Sequence, residues 1–208
     1  CRLFKVSTMD GHGTFNRAEI GAMGSIIEYL EITQKGNLPL LRPPQQETHT
    51  KTVQIDAATR RNLELTSALS GGRSGSLLAV LDQTITAAGA RLLEARLSSP
   101  SRVLETIYER TDAIEYCFNN NTYTEKTRVR LRNVPDITRA LSRLALDRGG
   151  PRDLVAIRNG LIQAQCLNEE APSNLPKLIE NAKSNLIIPG SLIEQLETSL
   201  VKEPPLFV

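Results

Sequence analysis

The chain has 208 residues, with 25 Lys and Arg against 23 Asp and Glu. That length makes one sizeable domain or one and a half small ones, with ample sequence for a buried core, and a formal net charge of +2 excludes a global field that by itself demands a nucleic-acid partner. Four Phe, four Tyr and no Trp leave the core to Leu, Ile, Val and Ala, which suits packed helices.

Residues Arg2 to Val6 alternate loosely and read as a strand ending in a turn at Asp10-Gly11-His12-Gly13. The glycine pair lacks the third glycine and the following helix of a dinucleotide fingerprint, so it reads as a plain turn. From Asn16 to Glu31, Ala18, Ile20, Met23, Ile26, Ile27 and Leu30 recur at helical spacing and predict a helix with one buried face. Residues 36–52 read as linker, stiffened by Pro39, Pro43 and Pro44 and polar from Gln45 to Lys51.

Asp56 is placed to cap a helix starting at Ala57. That helix is expected to turn Leu63 toward a core and to send Arg60, Arg61 and Asn62 elsewhere. The run Ser70 to Ser76 is too glycine-rich to continue it and reads as a flexible inter-helix turn. Leu77, Leu78, Val80 and Leu81 follow as an apolar turn or two. Thr86 caps the next helix, in which Ala90, Leu93 and Leu97 recur, and Pro100 ends it. A longer helix is expected from Ser101, with Leu104, Ile107, Tyr108, Ile114 and Phe118 on one side. Asn119 to Asn121 breaks it, and Thr122-x-x-Glu125 is a capping-box pattern for its successor.

Between Asn133 and Ala145, Ile137, Leu141, Leu144 and Ala145 form the stripe of a helix lying against a core. Arg148-Gly149-Gly150 stops it. Pro151 and Asp153 suit the first turn of the next helix, which carries Leu154, Ile157, Leu161 and Ala164. Pro172, Pro176 and Pro189 divide the remainder into shorter helices, the last running from about Ser191 to Val201. No unit recurs, so a helical repeat array is not expected.

Chemistry is sparse. Cys1, Cys117 and Cys166 are far apart and odd in number; they read as free thiols of a reducing, cytoplasmic compartment, and no CxxC or His-paired spacing supports zinc. His12 and His49 are isolated, so neither a metal site nor a Ser/His/Asp or Cys/His set can be assembled. No apolar run reaches the ~20 residues of a membrane helix. The glycine run Gly71-Gly72-Arg73-Ser74-Gly75-Ser76 lacks the Lys of a phosphate loop and follows a helix rather than a strand. Glu169 and Glu170, and Asp112, Glu115 and Asp136, read as solvated or ion-paired carboxylates. Arginine outnumbers lysine, and Arg132, Arg139 and Arg143 have the spacing of a strip that contacts phosphates, although Glu125, Asp136, Asp147 and Asp153 are interleaved with it.

Three strings carry a resemblance: IDAATRRNLELT from Ile55, GGRSGSLLAVLDQTITAAGARLL from Gly71, and RGGPRDLVAIRNGL from Arg148. Long, ordered and correctly spaced, they resemble the MutS family of bacterial mismatch-repair proteins, at the end of its connector domain and the first half of its helical core. The resemblance implies a mainly α fold, an irregular multi-helix core domain preceded by the remnant of an α/β connector domain. It divides the chain into a connector remnant at 1–33, a linker at 34–53 and a truncated core segment at 54–208. The implied parent is a homodimer that recognises mispaired double-stranded DNA, uses ATP and Mg to become a sliding clamp and recruits the next repair protein. Its mismatch-reading part would lie before Cys1, and its clamp and ATPase after Val208. Cys1 stands where a natural chain begins with Met and Leu206-Phe207-Val208 reads as cut within an element, so an excised segment is expected. No catalytic, cofactor or metal residue is expected in the segment itself. Its expected role is scaffold and coupling, with Arg60, Arg61, Asn62 and Glu64 at a junction with other domains of the same protein. The alternative is a free-standing helical protein-interaction module.

Overall fold

The computed structural model describes residues 13–35, 38, 41, 43–44, 51–201 and 204. The expected strand at 2–6, most of the 10–13 turn, both histidines and most of the linker lie outside the described residues. Within them the chain is mainly α, with ten helices and one isolated antiparallel bridge between Thr52 and Ser101.

Helix α1 (Arg17–Thr33) starts at a reciprocal capping box, in which Asn16 accepts from the Glu19 N–H at 2.9 Å and Glu19 accepts from the Asn16 N–H at 2.7 Å. None of its residues is buried; Met23, Ile27 and Leu30 are half-covered, while Ile20, Ile26, Tyr29 and Ile32 are exposed. The expected buried face is therefore absent among the described residues.

Helix α2 (Ala57–Asn62) is capped by Asp56 as expected but is only six residues long. Its end explains which leucine is buried. Glu64 takes a left-handed φ of +48°, the Leu65 N–H bonds the Arg60 carbonyl at 3.3 Å, and the Glu64 N–H bonds that of Arg61 at 3.0 Å. This is a Schellman closure, with Leu65 as the residue that turns back inward. Leu65 is 9% exposed and Leu63 59%, so the core residue is Leu65 and the expectation for Leu63 is corrected.

The glycine run is a built turn. Gly71, Gly72 and Gly75 all have positive φ, which L side chains resist; the Ala68 N–H donates to the Gly72 carbonyl at 2.9 Å and the Gly71 N–H to the Ala68 carbonyl at 3.0 Å. It delivers Ser76, fully buried, as the cap of α3 (Leu77–Leu81). The Leu77 and Leu78 N–H groups bond the Glu64 and Leu65 carbonyls at 2.9 Å each, tying α3 to the end of α2. Among the described residues Leu78 is the apolar side chain most completely enclosed.

Thr86 caps α4 (Ala87–Ser98) through the Gly89 N–H at 3.0 Å, and Pro100 lies just past its end. Helix α5 (Leu104–Asn119) begins three residues later than expected. Ser101 is held extended by backbone bonds on either side, Val53 N–H to the Pro100 carbonyl at 2.8 Å and Arg102 N–H to that of Lys51 at 2.9 Å. Helix α6 (Asn121–Arg132) follows after the single break at Asn120 and has no side-chain cap. The Thr122–Glu125 capping box does not form, since Thr122 is already inside the helix; the Thr124 hydroxyl instead bridges back to the Cys117 carbonyl at 2.7 Å.

Helix α7 (Ile137–Ala145) is capped by Asp136, buries Ala140 and ends in a second Schellman closure with Asp147 at φ +53°. Pro151 opens α8 (Pro151–Glu169), where Asp153 accepts the Gly150 N–H at 2.9 Å. Helices α9 (Lys177–Ser184) and α10 (Gly190–Ser199) begin just after Pro176 and Pro189. The long α8 is the axis of the packing, with α6, α7 and α10 laid against it; α5 packs on α6 and α9. Gly160 lets α7 close onto α8, because a Cβ there would stand 2.3 Å from Ile137 Cδ1.

Candidate domain junction and arginine strip

The four residues singled out at α2 do not act alike. Arg60 is half-buried and its Nη2 donates to the Ile55 carbonyl at 3.0 Å, so it ties the helix to the strand-like segment before it. Its Nε is enclosed without a hydrogen-bond partner. Glu64 accepts the Leu69 N–H at 2.6 Å and thereby closes the loop that leads to the glycine turn. Arg61 and Asn62 are exposed, and neither side chain makes a hydrogen bond or ion pair among the described residues. The outward part of the candidate junction is therefore Arg61 with Asn62. Asp56, which sets the start of the helix, accepts both the N–H and the hydroxyl of Thr59, at 2.9 and 2.6 Å, and these bonds hold its carboxyl below the usual range.

Glu64 gives a local test. Glu64→Ala is expected to destabilise the chain by about 1–3 kcal/mol, because the Leu69 N–H loses its acceptor and the left-handed strain stays. Glu64→Gly loses the same acceptor but relieves the strain, and its midpoint in urea should lie above that of the alanine variant. An alanine midpoint equal to or above the glycine one would contradict this account of the turn.

The arginine strip is divided between structural use and open surface. Arg143 Nε bonds Asp153 at 3.2 Å and its Nη2 bonds the Arg148 carbonyl at 3.0 Å, bracing the α7–α8 corner. Arg132 and Arg139 are exposed with no side-chain bond among the described residues, but Asp136 stands at the start of the same helix as Arg139. Asp136 is held by a two-pronged contact from Arg91, both distances 3.1 Å, and that bond keeps its carboxyl below the ordinary range. Arg130 pairs with Glu170, and Arg128 donates to the Gln83 carbonyl at 3.3 Å. Arg73, the one cation of the glycine turn, pairs with Asp82, which also accepts from Thr84.

Three placements were not legible in the sequence. Lys177 Nζ sits between Glu105 at 3.0 Å and Glu109 at 2.6 Å, fastening α9 to α5, and both carboxylates raise its pKa. Arg158 is buried, with Nη1 at 3.4 Å from the Leu200 carbonyl and its other bonds going to Asn159. Arg152 Nε reaches the Pro204 carbonyl at 3.3 Å, so α8 holds the segment leaving α10 by two guanidiniums. Only the chain reversal after α9 brings these partners, 42 and 52 residues apart, together. Among the described residues no group of His, Cys, Asp or Glu is placed to hold a metal ion, Cys117 and Cys166 are free thiols, and no helix is long and apolar enough to cross a membrane.

The described residues thus form a helical scaffold, with the short, capped, arginine-bearing α2 and with α6, α7 and α10 laid against α8. The sequence profile of MutS domain III matches residues 58–208, and the chain belongs to that family. It is 60% identical over 207 residues to the DNA mismatch repair protein MutS of Roseobacter denitrificans, covering 99% of this chain and 24% of that protein. The MutS proteins of Ruegeria pomeroyi and Cereibacter sphaeroides are 56% and 55% identical, again over 99% of the chain and 24% of their own length. The chain thus spans about a quarter of the length of the curated relatives it matches.

Proposed function

We propose that the chain is the scaffold and coupling segment of a MutS-type mismatch-repair protein, relaying between an ATPase and a mismatch-binding part that lie outside residues 1–208. The observation that carries this reading is the near-complete match to proteins named for DNA mismatch repair, of which the chain spans only a quarter. On this reading residues 1–33 are the end of a connector domain, 34–53 a linker and 54–208 the first part of the core. The start of the domain III match at residue 58 and the lack of any buried residue in α1 support that division. ATP, Mg, mispaired DNA, a second subunit and the next repair protein are partners of the whole cytoplasmic protein, and catalysis belongs to its other domains. Here the segment contributes stiffness: α8 is packed by three helices, and ion pairs tie α4 to the start of α7, α6 to the end of α8, α7 to α8 and α5 to α9.

Arg61 and Asn62 are the contact points of the coupling, because Arg60 and Glu64 are engaged within the segment. The test is ATP-dependent release from mismatched DNA by the full-length protein carrying Arg61→Ala and Asn62→Ala. Thermal midpoint and mismatch affinity should stay at wild-type values, since exposed substitutions usually change stability by no more than about 0.5 kcal/mol. The ATP response should weaken by an amount typical of coupling between sites, about 1–3 kcal/mol, or roughly 5- to 150-fold. An unchanged response would remove α2 from the relay, and a full-length protein that neither binds mismatches nor hydrolyses ATP would end the reading.

A further inference from the structure

The chain leaving α10 is strapped to α8 at two points, Leu200 and Pro204. Arg158 Nη1 donates to the Leu200 carbonyl at 3.4 Å and Arg152 Nε to the Pro204 carbonyl at 3.3 Å, both longer than the usual N–H···O bond. Proline has no N–H to add a bond of its own. Beside each attachment the contact with α8 is open. A cavity of about 450 Å³ adjoins Pro204, with Arg152, Val155 and Asn159 in its wall, and one of about 310 Å³ lies among Leu200, Glu197, Arg158 and Ile162. Close packing ordinarily makes such docking permanent. Here it is incomplete at both attachments, and Val201 between them is 64% exposed.

Arg158 makes the strap reversible. It is 8% exposed and has no carboxylate within salt-bridge distance among the described residues, whereas Arg73, Arg91, Arg130 and Arg143 all have one. Its Nε and Nη2 donate to the Asn159 side-chain oxygen at 3.3 and 3.2 Å. Asn159 belongs to α8 itself, so this part of the guanidinium stays satisfied when Leu200 leaves. Only Nη1 loses its acceptor, and Glu197 lines the same cavity with a carboxylate that can replace it. A carboxylate is the stronger acceptor for a guanidinium than a peptide carbonyl. The closed strap keeps the Arg152–Pro204 bond and the burial of Pro204; the open one gains an Arg158–Glu197 pair. Exchanging comparable interactions between two arrangements is what makes an element two-state.

Resting on the function proposed above, we infer that the strap at Leu200 and Pro204 is a latch, closed on Arg158 and Arg152 in one state of the full-length protein and opened when ATP binds, with Arg158 passing from the Leu200 carbonyl to the Glu197 carboxylate. The closed arrangement is the one observed, so a change can only open it. Closed, the latch makes the chain beyond α10 move with α8 as one body. Open, it lets the two move apart, while the buried Ile193 keeps α10 itself packed. Arg152, Arg158 and Glu197 are therefore positioning residues of the relay.

The test uses the full-length protein carrying Leu200→Cys, which keeps the carbonyl that Arg158 holds and puts a thiol in the cavity wall. Maleimide labelling of that thiol is followed by peptide mass spectrometry, which separates it from Cys117 and Cys166. ATP is expected to raise the labelling rate at least about tenfold. Adding Arg152→Ala, which removes the Pro204 bond, should raise the rate without ATP. Adding Glu197→Gln, which removes the second acceptor, should weaken the rise that ATP brings. A rate that ATP leaves unchanged, or that fails to respond to Arg152→Ala or to Glu197→Gln, overturns the latch. If Leu200→Cys does not fold, hydrogen exchange of the Leu200 amide, which closes on the Leu196 carbonyl at 3.2 Å, is followed in the same comparisons. Binding of ATP and of mismatched DNA is measured on the unmodified protein. Where both bind and the rate stays constant, the latch falls and the proposed function stands; where neither binds, the proposed function falls and the response to Arg152→Ala decides the latch.

Discussion

Leu78→Ala is expected to lower the stability of the chain by about 2–5 kcal/mol, the range for removing most of a large aliphatic side chain from a site that cannot collapse. Leu78 is 2% exposed and lies beside the fully buried Ser76. Its backbone N–H is fixed to the Leu65 carbonyl at 2.9 Å and that of Leu77 to Glu64 at 2.9 Å, so α3 cannot slide to fill the hole. Val80, two residues on in the same helix, is 72% exposed and supplies the control. Val80→Ala should move the urea midpoint by the small amount of a surface change, about 0.5 kcal/mol or less. Equal losses at the two positions would mean that Leu78 is not the anchor of this corner.

Gly160→Ala is the second large effect, and its sign depends on a partner. In an exposed helix the change would stabilise by about 1 kcal/mol, because glycine is the poorer helix former. Here the added Cβ meets Ile137 Cδ1 at 2.3 Å and Cγ1 at 2.6 Å, and Ile137 opens the helix most closely applied to α8. Overpacking of this kind costs typically about 1–3 kcal/mol, so the net result in the wild-type background should be destabilising. In an Ile137→Ala background both clashing atoms are gone, and the same substitution should become neutral or stabilising. The double-mutant cycle reads this directly, since contacting residues couple by about 0.5–3 kcal/mol. Additive effects would show that α7 and α8 do not meet through this pair.

Much of the local structure was legible because it depends on neighbours in sequence. Asp56, Thr86 and Pro151 start their helices through groups three or fewer residues away, so residue type and position suffice; Ser76 and Asp136 cap theirs in the same way but were not singled out as caps. The same holds for the stop at Pro100, whereas α7 ends ahead of the expected Arg148-Gly149-Gly150 stop, in the left-handed turn at Asp147. Two local signals misled. Leu63 and Leu65 are equally apolar, and the choice between them turns on the left-handed backbone at Glu64, where a glycine would have advertised the reversal. Thr122-x-x-Glu125 had the letters of a cap, but the helix had already begun at Asn121.

The candidate site was legible only as a list of arginines. Spacing grouped Arg132, Arg139 and Arg143, yet only Arg143 is paired among the described residues, with Asp153, while the neighbouring pairs join distant residues: Arg91 reaches Asp136 across 45 residues, and Arg130 meets Glu170 across 40. Which cations are spent and which remain outward is a question of distance in space.

By itself the sequence determined that the chain is helical, where most helices begin and end, which residues share a face, and its membership of the MutS domain III family. Only the tertiary structure decided what each face meets. It placed α8 at the centre, enclosed Leu78 and Arg158, left Arg61 and Asn62 outward, and turned the apolar row of α5 away from the helices around it. The physical reason is that helical periodicity is set by backbone geometry within one segment, while burial is set by packing between segments distant in the chain.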